Sequence, residues 1–167
     1  MSEKLARMTP AQSRAWLSLI TVAELLPVAL DAQLQRDDAL THYEFILLST
    51  LQRRGPQRLS DLAAATNATL PRTSKVVTRL RERGLVERTD HTTDRRSVEI
   101  RLTGAGRRRL VHATPGHFDT VHRLVLDHLD ESQLNTLADT LAPIVAGLDP
   151  QHRFGPMPDP APDESGD

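Results

Sequence analysis

The chain has 167 residues, a net charge of −1 and no cysteine. A chain of this length is expected to form one domain with a buried core of its own. The lack of cysteine excludes disulfides, thiolate metal ligands and cysteine-based redox sensing. We see no unbroken run of about 18 apolar residues and no leader-like start, so we expect no membrane span, no signal peptide and a cytoplasmic protein.

The near-neutral total conceals an uneven distribution of charge. Residues 53–109 contain fifteen Lys and Arg against six Asp and Glu, a net charge of +9, whereas the rest of the chain carries −10. A basic segment within an acidic frame is typical of a surface that contacts phosphates. A charged surface that is merely solvated would mix the two signs.

The N-terminal residues predict a long helix. Thr9 is followed by a proline and then by a glutamine at the third helical position, which together form a helix start. Apolar residues then recur at helical spacing from Trp16 to Leu30. Pro27 falls inside this pattern and should kink or break the helix, which we expect to end near Arg36.

Two shorter helices are predicted next. Thr41 and Glu44 form a capping box for a second helix that runs to about Arg53. A glycine and a proline follow and end it. Ser60 is expected to cap a third helix over residues 61–65.

The following residues complete a helix-turn-helix pattern. Asn67 can adopt the left-handed conformation that the turn needs, Thr69 caps a fourth helix, and Gly84 ends it. In such motifs the second helix enters the major groove of DNA with its N-terminal residues first. Arginine and lysine can bind guanine edges, and threonine can contact a thymine methyl or a phosphate. The side chains that we place on the outward face of this helix are Arg72, Thr73, Lys75 and Arg79.

A hairpin follows the fourth helix. Residues 85–88 and 97–102 alternate apolar and polar side chains, which predicts two half-buried strands joined by a charged loop. Asp94, Arg95 and Arg96 lie at the predicted tip. An arginine there can enter a narrow minor groove, and Asp94 can orient it through a charge-assisted hydrogen bond. The alternative is an ordinary solvated turn.

The C-terminal part predicts more helix. Thr103 caps a helix that Pro115-Gly116 should bend or interrupt, and Asp130 opens a last one. The apolar faces of the first and last helices have too few partners within one chain, so we predict that they form a helical dimer interface. Residues 148–167 are rich in proline, aspartate and glycine and are predicted to be disordered.

Residues 59–106, LSDLAAATNATLPRTSKVVTRLRERGLVERTDHTTDRRSVEIRLTGAG, resemble the MarR-type winged-helix regulators. The likeness is most specific in TRLRERGLVER, residues 78–88, and in the segment from Asp94 to Gly106. The flanking helices fit the family more loosely. The resemblance implies a mainly α fold with a small β-hairpin wing. It implies a domain over residues 9–147, with a winged-helix unit at about 38–104 and dimerisation helices at about 9–36 and 104–147.

The resemblance also implies a function. It implies a homodimer that binds double-stranded DNA at a pseudo-palindromic operator, usually as a repressor. The recognition segment would be residues 69–79, which adds Thr69 and Ser74 to the contacts, and Arg96 would enter the minor groove with Asp94 as its partner. A small-molecule effector often binds between the dimerisation helices and the winged helix in this family. Trp16, His42 and Phe45 are our candidates for its pocket, although core packing explains Trp16 and Phe45 equally well.

Other classes of function are less well supported. The chain has no glycine-rich phosphate loop, nucleophile elbow or HExxH motif, so we expect neither an enzyme nor a cofactor. His112, His117, His122 and His128 are spaced by 5, 5 and 6 residues, which does not place them on one helical face, so we predict no metal site. Two alternatives stay open: a metal-responsive regulator of the same fold, and a winged-helix module that binds an acidic protein.

Overall fold

The structure is a computed structural model that describes residues 8–90 and 98–154. Within these residues the chain is mainly helical with a small antiparallel sheet, as predicted. The bounds of its helices and strands are α1 (Pro10–Asp38), α2 (His42–Arg54), β1 (Gln57–Arg58), α3 (Leu59–Ala65), α4 (Leu70–Glu82), β2 (Val86–Asp90), β3 (Val98–Leu102), α5 (Gly104–Leu124) and α6 (Glu131–Leu148). A short 3-10 turn, Leu126–His128, joins the last two helices.

Side-chain caps set most of the helix starts. The caps predicted at the first, second, fourth, fifth and last helices are all confirmed, and each side chain accepts a hydrogen bond from a backbone N–H of the first turn. The third helix differs. It begins at Leu59 with Arg58 as a cap residue that makes no side-chain hydrogen bond, so the predicted cap at Ser60 is wrong. Arg58 is paired with Glu99 in the sheet, so α3 begins at the residue directly after β1.

The prolines do not divide the long helices. Pro27 lies inside α1, which has 29 residues, and Pro115 lies inside α5, which has 21, so of the predicted kink or break the break does not occur at either proline. Both prolines are exposed, and the carbonyl groups that they leave without a helical partner can therefore be hydrated. α1 runs two residues beyond the predicted end at Arg36, and Ala39 then takes a left-handed conformation with φ of 50°.

The sheet has three strands in the order β1-β3-β2, one more than predicted. The hairpin is confirmed, with Val86 opposite Leu102 and Arg88 opposite Ile100. β1 has only two residues, too few to show the alternation of apolar and polar side chains that marks a strand. It pairs antiparallel with β3 and so closes the sheet against α3.

The core lies among α2, α3, α4, the sheet and the adjoining ends of α1 and α5. Helix α2 contributes four residues to it and is the central element. Val76, Val77 and Leu80 of α4 belong to this core, which therefore fixes how α4 sits on the rest of the domain. Its largest fully buried apolar side chains are Phe45, Leu34, Leu40, Leu47, Leu48, Leu62, Leu80 and Ile100.

The first part of α1 and the whole of α6 expose apolar side chains. Trp16 is 49% exposed, Leu25 65% and Val145 53%, and α6 has no buried residue within the described chain. By length and composition alone, α1 is also apolar enough to cross a bilayer, which we had not expected from the sequence. The helix nevertheless carries acidic residues, and one of them, Asp31, accepts a hydrogen bond from the backbone N–H of His42 at 2.7 Å. That contact joins α1 to α2.

The residues after α6 make defined contacts as far as the structure describes them. The backbone N–H of Phe154 donates to Asp149 Oδ2 at 2.7 Å, and Arg54 donates to the carbonyl of Arg153. The predicted disordered tail, residues 148–167, therefore includes a short turn that lies on the winged-helix unit. Residues 155–167 lie outside the described residues.

Candidate nucleic-acid interface

Helix α4 presents a polar face to solvent and an apolar face to the core. Val76, Val77 and Leu80 are buried on the inner face. The cap hydroxyl of Thr69 accepts a hydrogen bond from the backbone N–H of Arg72 at 3.4 Å. Of the predicted contact residues on this helix, Thr69, Arg72, Lys75 and Arg79 are exposed and Ser74 is half-buried.

Thr73 does not belong to that outward face. Its side chain is fully buried, and its Oγ1 donates to the carbonyl of Thr69 at 3.0 Å. Thr73 precedes Val76 and Val77 by three and four residues, a spacing that places all three on the same side of a helix. The prediction that Thr73 contacts DNA is therefore wrong, because its hydroxyl is used inside the fold.

Tyr43 of α2 holds the start of α4. Its hydroxyl lies 3.0 Å from Thr66 Oγ1 in the turn and 2.9 Å from Thr73 Oγ1 in α4. The guanidinium carbon of Arg72 lies 4.5 Å from the centre of the Tyr43 ring, a cation–π contact. Tyr43 was not predicted from the sequence, because no local pattern links a residue in the first turn of one helix to a helix thirty residues further on.

The next residue, Glu44, holds the second half of α4. Its carboxylate is buried, and Oε1 accepts hydrogen bonds from Arg79 Nε at 2.8 Å and from Arg83 Nη1 at 3.3 Å. The other oxygen, Oε2, accepts from the backbone N–H of Thr41 at 2.8 Å and completes the capping box of α2. Arg83 also donates to the carbonyl of Ala39 at 2.8 Å, at the end of α1.

The hairpin stands beside this helix as the wing. At its base, Arg101 Nη2 and Glu87 Oε1 form an ion pair across the two strands at 2.6 Å. The predicted tip contacts, Asp94, Arg95 and Arg96, lie outside the described residues. Their roles therefore stay predictions from the sequence.

Two of the three predicted pocket residues lie together. The ring of His117 in α5 has its centroid 4.4 Å from that of Phe45 and 5.9 Å from that of His42. Trp16 lies elsewhere: it precedes Asp31, the α1 residue that contacts His42, by fifteen residues, or about 22 Å of helix. The prediction that Trp16 lines one pocket with His42 and Phe45 of the same chain is therefore wrong.

The junction of α1, α2 and α5 also contains buried polar atoms that no sequence pattern predicts. Gln33 Oε1 and His117 Nδ1 are buried and have no hydrogen-bond partner among the residues that the structure describes. Burial, and then the nearby His42, lowers the pKa of His117 to about 4. Burial also lowers the pKa of His42, and the negative charge of Asp31 opposes that effect.

No metal centre is formed by the described residues. Within residues 8–90 and 98–154 there is no group of three or more His, Asp or Glu side chains that could hold a metal ion. His112 and His122 instead contact single carboxylates, Asp38 Oδ1 at 2.7 Å and Asp127 Oδ1 at 3.3 Å. These contacts are pairwise and lie at separate places on α5.

The fold and this interface define a winged helix-turn-helix protein of the kind that places a basic helix against a duplex. The chain belongs to the MarR family, whose sequence model matches residues 40–98. It is similar to Sco3205, a MarR family transcriptional regulator from Streptomyces coelicolor with a crystal structure in complex with DNA, at 33% identity and a TM-score of 0.81. That match covers 90% of this chain and 96% of Sco3205.

Two further relatives agree with this assignment. AbsC, a MarR family transcriptional regulator from Streptomyces coelicolor, is 32% identical with a TM-score of 0.80, and the match covers 87% of this chain and 99% of AbsC. The HTH-type transcriptional repressor YetL of Bacillus subtilis is 32% identical over 96 residues. Those residues are 56% of this chain and 58% of YetL, so the match spans less than two thirds of that repressor. The relatives make this chain a transcriptional regulator and not an enzyme.

Proposed function

We propose that this protein is a sequence-specific repressor that binds a pseudo-palindromic DNA operator as a homodimer and is released by a small-molecule effector. The observation that carries the proposal is the outward face of α4, where Arg72, Lys75 and Arg79 are exposed on a helix whose inner face is locked in the core. The likeness to Sco3205, whose structure is a complex with DNA, supports DNA as the partner. The likeness to the repressor YetL supports repression.

The geometry of the helix supports a set of contact roles. In the proposed complex α4 enters the major groove, where Arg72 and Lys75 reach base edges or phosphates and Thr69 and Ser74 donate to phosphates. Arg95 and Arg96, with Asp94 beside them, serve the wing in the flanking minor groove. Thr73 has no contact role, because its hydroxyl is buried.

The exposed apolar faces of α1 and α6 support the homodimer. A monomer would leave the apolar side chains of both helices in water, whereas a two-fold pair would cover them. The acidic residues within α1 make a bilayer a poorer cover than a second copy. Replacing Leu25 with glutamate should therefore yield monomers in sedimentation analysis, and an intact dimer would contradict this pairing surface.

The junction around His117 supports a site for the effector. It brings His42 and Phe45 together between the long helices and the winged helix, and it holds the buried unpaired atoms of Gln33 and His117. Buried polar atoms without partners destabilise a fold, and a ligand with matching polar groups would satisfy them. Ligand binding there should raise the melting temperature of the protein and lower its affinity for the operator.

The test of DNA binding is selection of bound sequences from random duplexes, followed by gel-shift titration at several salt concentrations. We expect a palindromic consensus with half-sites about 10 base pairs apart, and affinity that falls steeply with salt. Equal affinity for all duplexes would overturn sequence-specific binding. Loss of binding on chelation would point to a metal-responsive regulator, and binding of an acidic protein that duplex DNA cannot displace would point to an interaction module.

A further inference from the structure

We propose that Tyr43, a residue of α2, determines the base specificity of the recognition helix by positioning Arg72. The inference rests on the proposed function, since it concerns how the same helix reads DNA. It assigns a role to a side chain that lies behind the interface. Its consequence is that the base preference opposite Arg72 depends on a residue outside the recognition helix.

The hydroxyl of Tyr43 ties the turn to α4. Thr66 Oγ1 donates to the carbonyl of Leu62 at 2.7 Å, and Thr73 Oγ1 donates to the carbonyl of Thr69. Three hydroxyl protons therefore serve four contacts, because the phenol of Tyr43 also lies within 3.0 Å of both threonines. In every arrangement of the protons the phenol keeps at least one threonine partner, so Tyr43 stays tied to the helix-turn-helix unit.

The ring of Tyr43 holds the guanidinium of Arg72. An exposed arginine normally samples many rotamers and loses that freedom when it binds. Contact with an aromatic face 4.5 Å away restricts the side chain before DNA arrives. A positioned arginine forms a bidentate pair with guanine at lower entropic cost and tolerates other bases less well.

Glu44, the residue next to Tyr43, holds a second arginine of α4. Glu44 holds Arg79, which lies seven residues beyond Arg72, or two turns and about 10 Å along the same face of α4. Adjacent residues of α2 thus hold the two arginines. The first turn of α2 thereby fixes both the direction and the spacing of the arginines that face DNA.

The competing interpretation is that Tyr43 only packs, because it also contacts the apolar core. That role would change the free energy of unfolding and leave base preference intact. The two roles separate in Tyr43→Leu, which removes ring and hydroxyl, and Tyr43→Phe, which removes only the hydroxyl. Arg81→Ala is the matched control, since Arg81 is an exposed arginine of the same helix.

The experiment compares the full-length variants on the selected operator and on duplexes changed at the base pair whose preference Arg72→Ala abolishes. Wild-type protein should prefer the operator roughly 10-fold or more at that position. Tyr43→Leu should lose most of this preference while keeping its affinity for nonspecific duplex, and adding it to Arg72→Ala should have no further effect. Tyr43→Phe should melt at a lower temperature but keep the preference. Arg81→Ala should keep the wild-type preference at that position, and adding it to Tyr43→Leu should give the same preference as Tyr43→Leu alone.

Several outcomes overturn the role of Tyr43. It fails if folded Tyr43→Leu keeps the wild-type preference, or if its effect adds fully to that of Arg72→Ala. If wild-type protein shows no base preference at any position, the proposed function itself fails, which is a different result.

A second measurement covers the case in which Tyr43→Leu does not fold. Tyr43 is the only tyrosine in the sequence, so 3-fluorotyrosine labels this position alone. The fluorine resonance of the labelled protein should move in Arg72→Ala and stay in place in Arg81→Ala. It should also move differently with the operator than with the duplex changed opposite Arg72. A resonance that is unaffected by the loss of Arg72 would overturn the contact and the proposal with it.

Discussion

The rings of His42 and His117 stack with their centroids 5.9 Å apart, at the point where α2 begins against the middle of α5. Phe45 also packs against His117, at 4.4 Å between ring centroids. A proton on His117 would place a positive charge in this buried site beside a second histidine. That is why the pKa of His117 falls to about 4.

Protonation of His117 should therefore destabilise the fold in mild acid. The unfolded chain binds this proton near pH 6.5 and the folded chain only near its lowered pKa of about 4. The contribution of neutral His117 to the free energy of unfolding is therefore complete above the unfolded pKa. It is lost as the pH falls from that pKa to the folded one, by up to about 3 kcal/mol. Urea unfolding at pH 7.5 and pH 5 should show the difference. His117→Leu should reduce it, whereas the exposed His128→Gln should not. An equal pH dependence in His117→Leu would contradict the assignment.

Gly106 lies where α5 meets the sheet, and the neighbouring atoms leave no space there for a side chain. A Cβ at this position would lie 2.0 Å from the carbonyl oxygen of Leu85 and 2.7 Å from Leu102 Cδ1. Gly106→Ala should therefore cost about 1–3 kcal/mol in the free energy of unfolding, because backbone atoms must move. Gly104→Ala, two residues earlier, is the control. Its Cβ would meet only Arg108 Nη1 at 3.6 Å, so it should be neutral or stabilising by up to about 1 kcal/mol. Similar urea midpoints for the two variants would refute this account of Gly106.

Glu44→Gln should show how much the buried carboxylate contributes. The substitution keeps the size of the side chain and an oxygen for the cap, but it removes the charge that faces Arg79 and Arg83. We expect the free energy of unfolding to fall by about 1–3 kcal/mol. The loss is moderated because Arg79 is 48% exposed and water can solvate its charge. Glu87→Gln breaks an exposed ion pair with Arg101 and should cost less than about 1 kcal/mol. Denaturant titration of both variants would measure the contrast, and equal losses would argue against it.

Arg96→Ala should weaken operator binding without separating the dimer. Loss of one minor-groove arginine should lower affinity roughly 10-fold, by about 1–2 kcal/mol. Gel-shift titration measures the affinity, and sedimentation verifies the dimer. Arg36→Ala removes an exposed arginine of α1 and should leave the affinity unchanged. Full affinity in Arg96→Ala would remove the wing from the proposed complex.

Local patterns in the sequence predicted what local interactions decide. The cap at Thr103 and the left-handed turn at Asn67, with φ of 48°, are confirmed because each depends on a few neighbouring residues. The charge of residues 53–109 likewise pointed to the basic interface without any knowledge of the fold. The resemblance to the MarR family is confirmed by the structural relatives.

Contacts between distant residues were beyond those patterns. Thr73 looked like a surface residue, because its partner Tyr43 lies 30 residues away in the sequence. His117 gave no sign of burial, since the site that encloses it is assembled from α1, α2 and α5. β1 was missed for a different reason: its two residues form a strand only because β3 lies beside them.

The left-handed backbone of Ala39 has a consequence for the whole assembly. It lies at the joint between α1 and α2, and its carbonyl accepts a hydrogen bond from Arg83, just beyond the end of α4. A non-glycine residue keeps that conformation only where its surroundings enforce it, so the bend is stiff. In the proposed dimer paired through α1, this bend would act together with the contacts of α1 to α2 and α5 to set how far apart the two copies of α4 stand. The half-site spacing of the operator would then depend in part on a residue outside the helix and wing that we propose to contact DNA.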